Sequence, residues 1–311
     1  MLTVCNYHYI REDFTTKYPS IFGMTPLQLK KQLIMLKKEG RFISSSQLLK
    51  DTDEVLRSRD NFILITFDDG LKEQVDYGLS VLNELEIPAL FFVNSINYQE
   101  NKVSTVHKIH LLRSLLDSEI ILKSIYNKFS DKLSNLSKSK IASVYIYDDE
   151  KTALLKYVLN FVLNHKEQEE IINKLFINYF EEEEELKSLY MSVDNLKQLA
   201  ELNYLGSHTH SHYPLGLFEK DCIEKELKSS KVFLEDLTMS KIETVAYPYG
   251  TKEACSNEVA KEALNVGYKL GFTTNRGVNN SVQNKLLLNR FDCNDLIGGK
   301  KITYDNKRGY N

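Results

Sequence analysis

The chain of 311 residues contains no tryptophan, only four cysteines and no large excess of charge of either sign. Each shortage excludes something. Cys5, Cys222, Cys255 and Cys293 are scattered without a C-x-x-C pair, which argues against a disulfide framework or a cysteine zinc site and suits a reducing compartment. Lys and Arg number 40 against 43 Asp and Glu, a formal net charge of −3, with no long basic run. Nucleic acid is therefore not an expected partner. No segment approaches the ~18 consecutive apolar residues that would span a bilayer. The opening MLTVCNYHYIREDFTTKYPS has no basic start followed by an apolar stretch, so no secretory signal is visible and the expected setting is the cytoplasm.

What is present is ordinary globular composition, 42% apolar and 27% charged, which excludes wholesale disorder and allows a substantial core. Two zones alternate short strands with helices. Leu2–Tyr7 reads as a strand, and Thr25-Pro26 opens a helix that Gly40 closes after Lys37-Lys38. Phe62–Phe67 and Ala89–Val93 are apolar runs of the kind buried on both faces, joined by a helix around Lys72–Leu85. The pattern resumes with Ser192 capping a helix to about Leu202 and a short strand at Tyr204–Gly206. Helix Phe218–Leu237 then precedes strand Thr244–Tyr247, helix Asn257–Asn265 precedes strand Gly271–Thr274, and Leu286–Phe291 is the last strand.

Between these zones, from about Ile96 to Tyr190, the chain has neither Gly nor Pro and shows helical spacing at Ile109, Leu112, Leu116, Ile120 and Ile121. Glu181–Glu185 within it reads as a solvated face or helix end rather than a cation site. The predicted fold class is α/β, a parallel sheet closed or nearly closed into a distorted (β/α) barrel, complete or incomplete, with a large α-helical insertion. Residues 1–95 and 191–297 form the barrel, 96–190 the insertion and 298–311 a weakly ordered C-terminal tail.

Three segments carry chemistry. In Thr66-Phe67-Asp68-Asp69-Gly70, adjacent carboxylates end a buried apolar strand, which is costly unless a positive charge neutralises them. A divalent cation would do so, one Asp ligating it while the other stays free for proton transfer; a plain turn would also explain the pair. In Gly206-Ser207-His208-Thr209-His210-Ser211-His212, three of seven histidines fall within five residues. Imidazole is a leading zinc ligand. His208 and His212 are one helical turn apart, while an extended segment would pair His208 with His210. Two His and one Asp leave coordination sites open, as catalytic zinc requires. Ala246-Tyr247-Pro248-Tyr249-Gly250 is by itself only a turn after a strand.

Taken in order, TFDDG, H-[S/T]-x-x-H and Y-P-Y-G resemble the motifs of the polysaccharide deacetylases of carbohydrate esterase family 4. The resemblance covers roughly residues 1–95 and 190–295. It implies Asp68 as general base, Asp69, His208 and His212 as metal ligands, and the backbone N–H of Tyr249 as an oxyanion donor. His210 becomes the variable middle residue. Many members carry an arginine where this chain has Ala246, and Arg290 is the candidate substitute for holding the base. The missing tryptophan leaves any aromatic wall to Tyr or Phe. No histidine follows His212, but one exopolysaccharide-deacetylase branch has its general acid in an N-terminal Tyr-His, which Tyr7-His8 resembles. His8 is the acid on that reading. His107, His110 and His165 fall in the insertion as surface or packing residues.

The implied activity is metal-dependent removal of an N-acetyl group from an acetamido sugar or glycan intermediate in surface polysaccharide biosynthesis. The metal would be Zn2+, with Co2+, Ni2+ or Fe2+ as alternatives. Competing readings are a same-fold hydrolase of a non-sugar amide or formyl group, and a non-catalytic glycan-binding relative. Asp68 and His8, unnecessary for ligation, argue against the second, and the displaced arginine argues for it. The insertion offers a lid, a substrate wall or a homo-oligomer contact, which the sequence does not rank.

Overall fold

A computed structural model of the protein describes residues 1–14, 23–134, 136–144 and 148–300. It divides into two compact units: a larger one that leaves off at Lys102 and resumes at Leu186, and a smaller one spanning Val103–Glu185. The larger unit is an α/β barrel left incomplete. Its strands are β1 (Leu2–Tyr7), β2 (Arg41–Phe42), β3 (Phe62–Phe67), β4 (Ala89–Val93), β5 (Leu205–Ser207), β6 (Thr244–Ala246), β7 (Leu270–Phe272) and β8 (Phe291–Asp292). All pair in parallel in the order β7-β6-β5-β4-β3-β1-β8, with β2 alongside the start of β3.

Because side chains alternate across a strand, each strand feeds two cores. Leu2, Val4, Leu64, Leu90, Phe92, Ala246, Leu270, Phe272 and Leu288 cluster on one face. Cys5, Tyr7, Ile63, Ile65, Phe67, Phe91, Val245 and Tyr247 pack on the other, against the surrounding helices. On that second face Tyr7, Phe67 and Phe91 stack in a row at 5.3 and 4.7 Å. Truncating such a fully buried aromatic typically costs ~3–5 kcal/mol. None of the four cysteines forms a disulfide.

The helices start where side chains can cap them. Thr25 and Ser44 make capping boxes before Pro26–Leu36 and Ser45–Arg57, Ser192 does so before Val193–Glu201, and the Ser256 hydroxyl accepts from Val259 N–H before Asn257–Val266. Lys37 caps the first helix with right-handed backbone, and Gly40 ends the turn that follows, its N–H donating to the Leu36 carbonyl at 3.2 Å and its Cα set tightly against Asn61. The helix expected around Lys72–Leu85 contains a π-helical stretch, Gln74–Leu79, before Ser80–Leu85.

The largest departure is the last strand. Leu286–Phe291 was expected as one strand, but Leu288 bridges to Phe272 of β7 and only Phe291–Asp292 pairs with β1. Leu288 N–H donates to Gly271, and five residues later Cys293 N–H donates to Asn6. The segment crosses from one end of the sheet to the other, so neither neighbour receives a full ladder. That crossing brings the two sheet edges together and carries Arg290 between them.

The regular elements described in the smaller unit are all helices. Its helices are Thr105–Leu115, Ser118–Leu133, Lys138–Val144, Glu150–Tyr157 with a π-helical extension Val158–Val162, and His165–Phe176. The spacing that linked Ile109 to Ile121 spans a break at Leu116, whose backbone is extended, and Asp117 begins the next helix. Leu111, Leu112, Ile121, Ile125, Leu155, Ile172 and Phe176 are buried there. Lys108 is buried too, its ammonium held by Asn173 and Glu182 above the Phe176 ring. Glu182 thus serves in an ion pair at the first turn of helix Glu182–Leu189. His107 is buried beside His110. Of the expected tail, residues 301–311 lie outside the described residues. No described helix is long and apolar enough to cross a membrane.

Candidate active site

Sites in barrels of this kind form at the C-terminal ends of the strands. Here Asp68 and Asp69 follow β3, His208 and His212 follow β5, Tyr249 follows β6, and His8 follows β1. The face that is apolar at Val4, Leu64 and Phe92 turns polar toward this end. Asn6 and Thr66 stand opposite each other in the β1–β3 register, both buried.

Asp69, His208 and His212 form one cluster, all buried, with one ligand atom from each lying within 4.8 Å of the others. Asp69 Oδ1 is 3.4 Å from His208 Nε2 and 3.3 Å from His212 Nε2. The two imidazole rings meet edge to face at 5.1 Å. His208 is oriented through its other nitrogen, Nδ1, 2.7 Å from the Ala246 carbonyl oxygen. A backbone contact of this kind fixes the tautomer that leaves Nε2 for a ligand. Burial opposes charge on this ring, but the Asp68 and Asp69 carboxylates outweigh it and raise its pKa above the ordinary histidine value. One carboxylate and two imidazoles, gathered and buried, suit zinc and the later first-row divalent ions.

The loops holding this cluster are strained. Asp69 (φ 80°), Thr209 (φ 64°), His212 (φ 60°) and Tyr249 (φ 61°) all occupy left-handed backbone, which costs non-glycine residues on the order of 1–3 kcal/mol each. Gly70 follows at φ 64°, where a Cβ would meet Val93 Cγ1 at 2.6 Å. The strain is held by hydrogen bonds. Asn94 donates to the His208 carbonyl, Ser95 N–H to that of Thr209, Ile96 N–H to that of His210, and Ser211 N–H to the buried Glu226 carboxylate. His210 lies apart from the Asp69–His208–His212 cluster, between Ser95 Oγ at 2.8 Å and Glu100 Oε1 at 3.0 Å.

Asp68 faces a different partner. Arg290 Nη1 donates to Oδ1 at 2.8 Å and Nη2 to Oδ2 at 2.7 Å, a bidentate pair with both residues buried. The guanidinium is itself pinned by Asn6 Oδ1, Thr66 Oγ1 and the Thr273 carbonyl, and lies over the Phe92 ring. Burial pushes the Asp68 carboxyl up. The Arg290 charge and hydrogen bonds, with help from His208 and His8, outweigh it and hold the group below its ordinary range. His8 Nε2 stands 3.9 Å from Asp68 Oδ2, a charge contact rather than a hydrogen bond, with about a third of its side chain exposed.

Tyr249 sits across the site, its ring 5.4 Å from that of His212. Thr274 Oγ1 donates to the Tyr249 carbonyl at 2.8 Å, which fixes the orientation of this turn. Tyr249 itself is 40% exposed.

The polysaccharide deacetylase family profile matches residues 56–127 and 161–271. The chain belongs to the polysaccharide deacetylase family. Solved structures of similar fold include the deacetylase PplD of Streptococcus pyogenes in complex with acetate, 18% identical with a TM-score of 0.53 over 94% of this chain and 91% of that one. IcaB from Ammonifex degensii is 16% identical, TM-score 0.54, over 93% and 90%. The BpsB deacetylase domain from Bordetella bronchiseptica is 16% identical, TM-score 0.55, over 94% and 95%. At these identities the likeness is one of fold. No curated protein matches the sequence significantly.

Several residues of this site had no role assigned by any motif. Asn6 and Thr66 left a signal, since polar side chains in otherwise apolar buried strands need a partner. Gln74, which donates to two loop carbonyls, left none, because a glutamine near a helix start is ordinary. Ser95 and Glu100 lie at the border of the helical segment and carry no motif.

Proposed function

We propose that the protein is a metal-dependent hydrolase that removes the N-acetyl group from an acetamido sugar of a glycan or glycan intermediate, in the making of a surface polysaccharide. The observation that carries this reading is the meeting of two pairs of functions at one strand-end rim. The three donors Asp69, His208 and His212 adjoin a buried Asp68–Arg290 pair, with His8 3.9 Å from Asp68. Membership in the deacetylase family and the acetate in the PplD structure support the same chemistry.

Asp69, His208 and His212 would hold the cation, with Zn2+ favoured and Co2+, Ni2+ or Fe2+ as alternatives. A divalent ion there supplies Lewis-acid polarisation of the acetamide carbonyl and makes water easier to deprotonate. Asp68 takes the proton from the attacking water. Arg290 keeps it ionised and fixes its plane, and each carboxylate oxygen retains a second lone pair to accept with. The grip lowers basicity in exchange for a base that is always in the accepting state. The new C–O bond places negative charge on the former carbonyl oxygen, for which the Tyr249 N–H is the protein donor. As the C–N bond breaks, His8 passes a proton to the nitrogen, giving acetate and a free amine. Its exposed ring can exchange protons with solvent between turnovers.

The test is acetate release from N-acetylchitooligosaccharides and UDP-N-acetyl sugars, run beside metal analysis and with Asp68→Asn as the control. Acetate formation that tracks metal content and vanishes in the control is the expected result. Release of formate or ammonia from other amides, with no acetate from any sugar, would refute the substrate class.

A further inference from the structure

We infer that Gln74 is a positioning residue that sets the general acid against the general base; this rests on the roles proposed above for His8 and Asp68. Its Nε2 donates to the His8 carbonyl at 2.9 Å and to the Asp68 carbonyl at 2.6 Å. The residue is completely buried. No other side chain among those described is shown bonding to the backbone of both.

The need for such a tie follows from the sheet. β1 and β3 are in register to Tyr7 and Phe67, and the last rung of their ladder is Asp68 N–H to the Tyr7 carbonyl at 3.0 Å. Beyond it the two chains part, and nothing in the ladder fixes His8 relative to Asp68. Their imidazole–carboxylate contact is too long to do so, at 3.9 Å, and the His8 ring is partly solvated. Gln74 replaces the missing rung with one amide group that reaches both carbonyls.

Its orientation is determined. Gln74 Oε1 is buried without a hydrogen-bond partner, so the side chain is placed by its donors alone. Rotating the amide would set Oε1 against two carbonyl oxygens. A buried unpartnered acceptor is unfavourable, and such exceptions call for a reason. Here both donors are committed to the two loops. Gln74 also opens the π-helical stretch Gln74–Leu79, a rare form found often at functional sites. Next to it, Glu73 Oε2 accepts from Arg11 Nε at 2.8 Å, so the start of one helix grips the loop after β1 at two points, His8 and Arg11.

The experiment uses the full chain loaded with metal, with N-acetylchitooligosaccharide as substrate. Gln74→Met removes both donors at similar volume, and Gln74→Glu keeps the shape and places an acceptor against the carbonyls. Both should retain metal content and lower kcat by about 10- to 100-fold, the scale of a misplacement near 1 Å, with KM changed less than about twofold. The decisive readout is the His8→Ala background. There Gln74→Met should cost less than about threefold, because the two changes share one route. Full, additive loss in that background, or wild-type kcat in both single variants, would overturn the inference. Wild-type turnover in His8→Ala alone would instead refute the acid role. A measurement independent of turnover is the His8 imidazole resonance in histidine-labelled protein. A single sharp line in the parent that shifts or broadens in both variants supports the tie, and an unchanged line overturns it.

Discussion

The two sides of the site are built in different ways. The proposed metal cluster draws on two loops, and its imidazoles come from one five-residue stretch whose left-handed turns at Thr209 and His212 wrap them toward Asp69. The proposed proton-transfer side draws on the two ends of the chain. Arg290 reaches Asp68 across 222 positions and Asn6 across 284, and the pair exists only because the segment after β7 crosses to β1. The first side is fixed by local backbone geometry. The second is fixed by the segment that crosses from β7 to β1.

That difference predicts separable failures. The largest effect should come from the metal side: Asp69→Ala, His212→Ala or exhaustive chelation should remove bound metal and turnover together, by at least about 1000-fold in kcat, since a lost Lewis acid withdraws several kcal/mol from the transition state. Metal analysis beside acetate release checks this, and chelated protein with full activity would break the comparison outright. On the other side, Asp68→Asn should leave metal content unchanged and lower kcat by about 10²–10⁴, the usual worth of general acid–base assistance. Loss of metal in that variant would mean the two sides are one.

The same difference explains what could be read in advance. The strands at Leu2–Tyr7, Phe62–Phe67 and Ala89–Val93, and again from β5 to β7, were visible as short runs between helices, because local sequence determines them; the two-residue β2 was not. The Asp-Asp and His clusters were visible because the chain itself brings their members close. The closing segment was not, since LLLNRF looks like one strand whether it pairs with one neighbour or crosses between two. Leu288 and Phe291 serve opposite ends of the sheet three residues apart, and no period in the sequence encodes that switch. Gln74 was hidden for a related reason: its function lies in two backbone carbonyls, which every residue has.

Arg290 sharpens the contrast further, as the residue where the crossing segment and the chemistry meet. Arg290→Lys keeps the charge but cannot keep the bidentate geometry or the bonds to Asn6, Thr66 and Thr273 at once. Arg290→Met leaves Asp68 buried and uncompensated, a change that costs about 3–5 kcal/mol when one partner of a buried pair is removed. The methionine variant should therefore melt well below the parent and the lysine variant between them, both with metal still bound when folded. Equal stability of all three proteins would show that the pair contributes nothing to holding the crossing segment.

The smallest effect serves as the control that gives the others meaning. Ser192 caps helix Val193–Glu201, its hydroxyl accepting from Asn195 N–H at 3.2 Å on an exposed surface. That helix leads into β5, and so into the loop that carries His208 and His212, while the side-chain bonds of the cap itself run to Asn195. Ser192→Ala should cost about 1 kcal/mol, lowering the melting midpoint by about 2–4 °C in a unit of this size. Well below that midpoint, metal content and kcat should stay at parental values, because the loop is held by Asn94, Ser95 and Glu226 rather than by the start of the preceding helix. A fall in kcat at full metal occupancy would mean that the β5 loop depends on its helix after all, and that the metal side is less locally determined than its hydrogen bonds indicate.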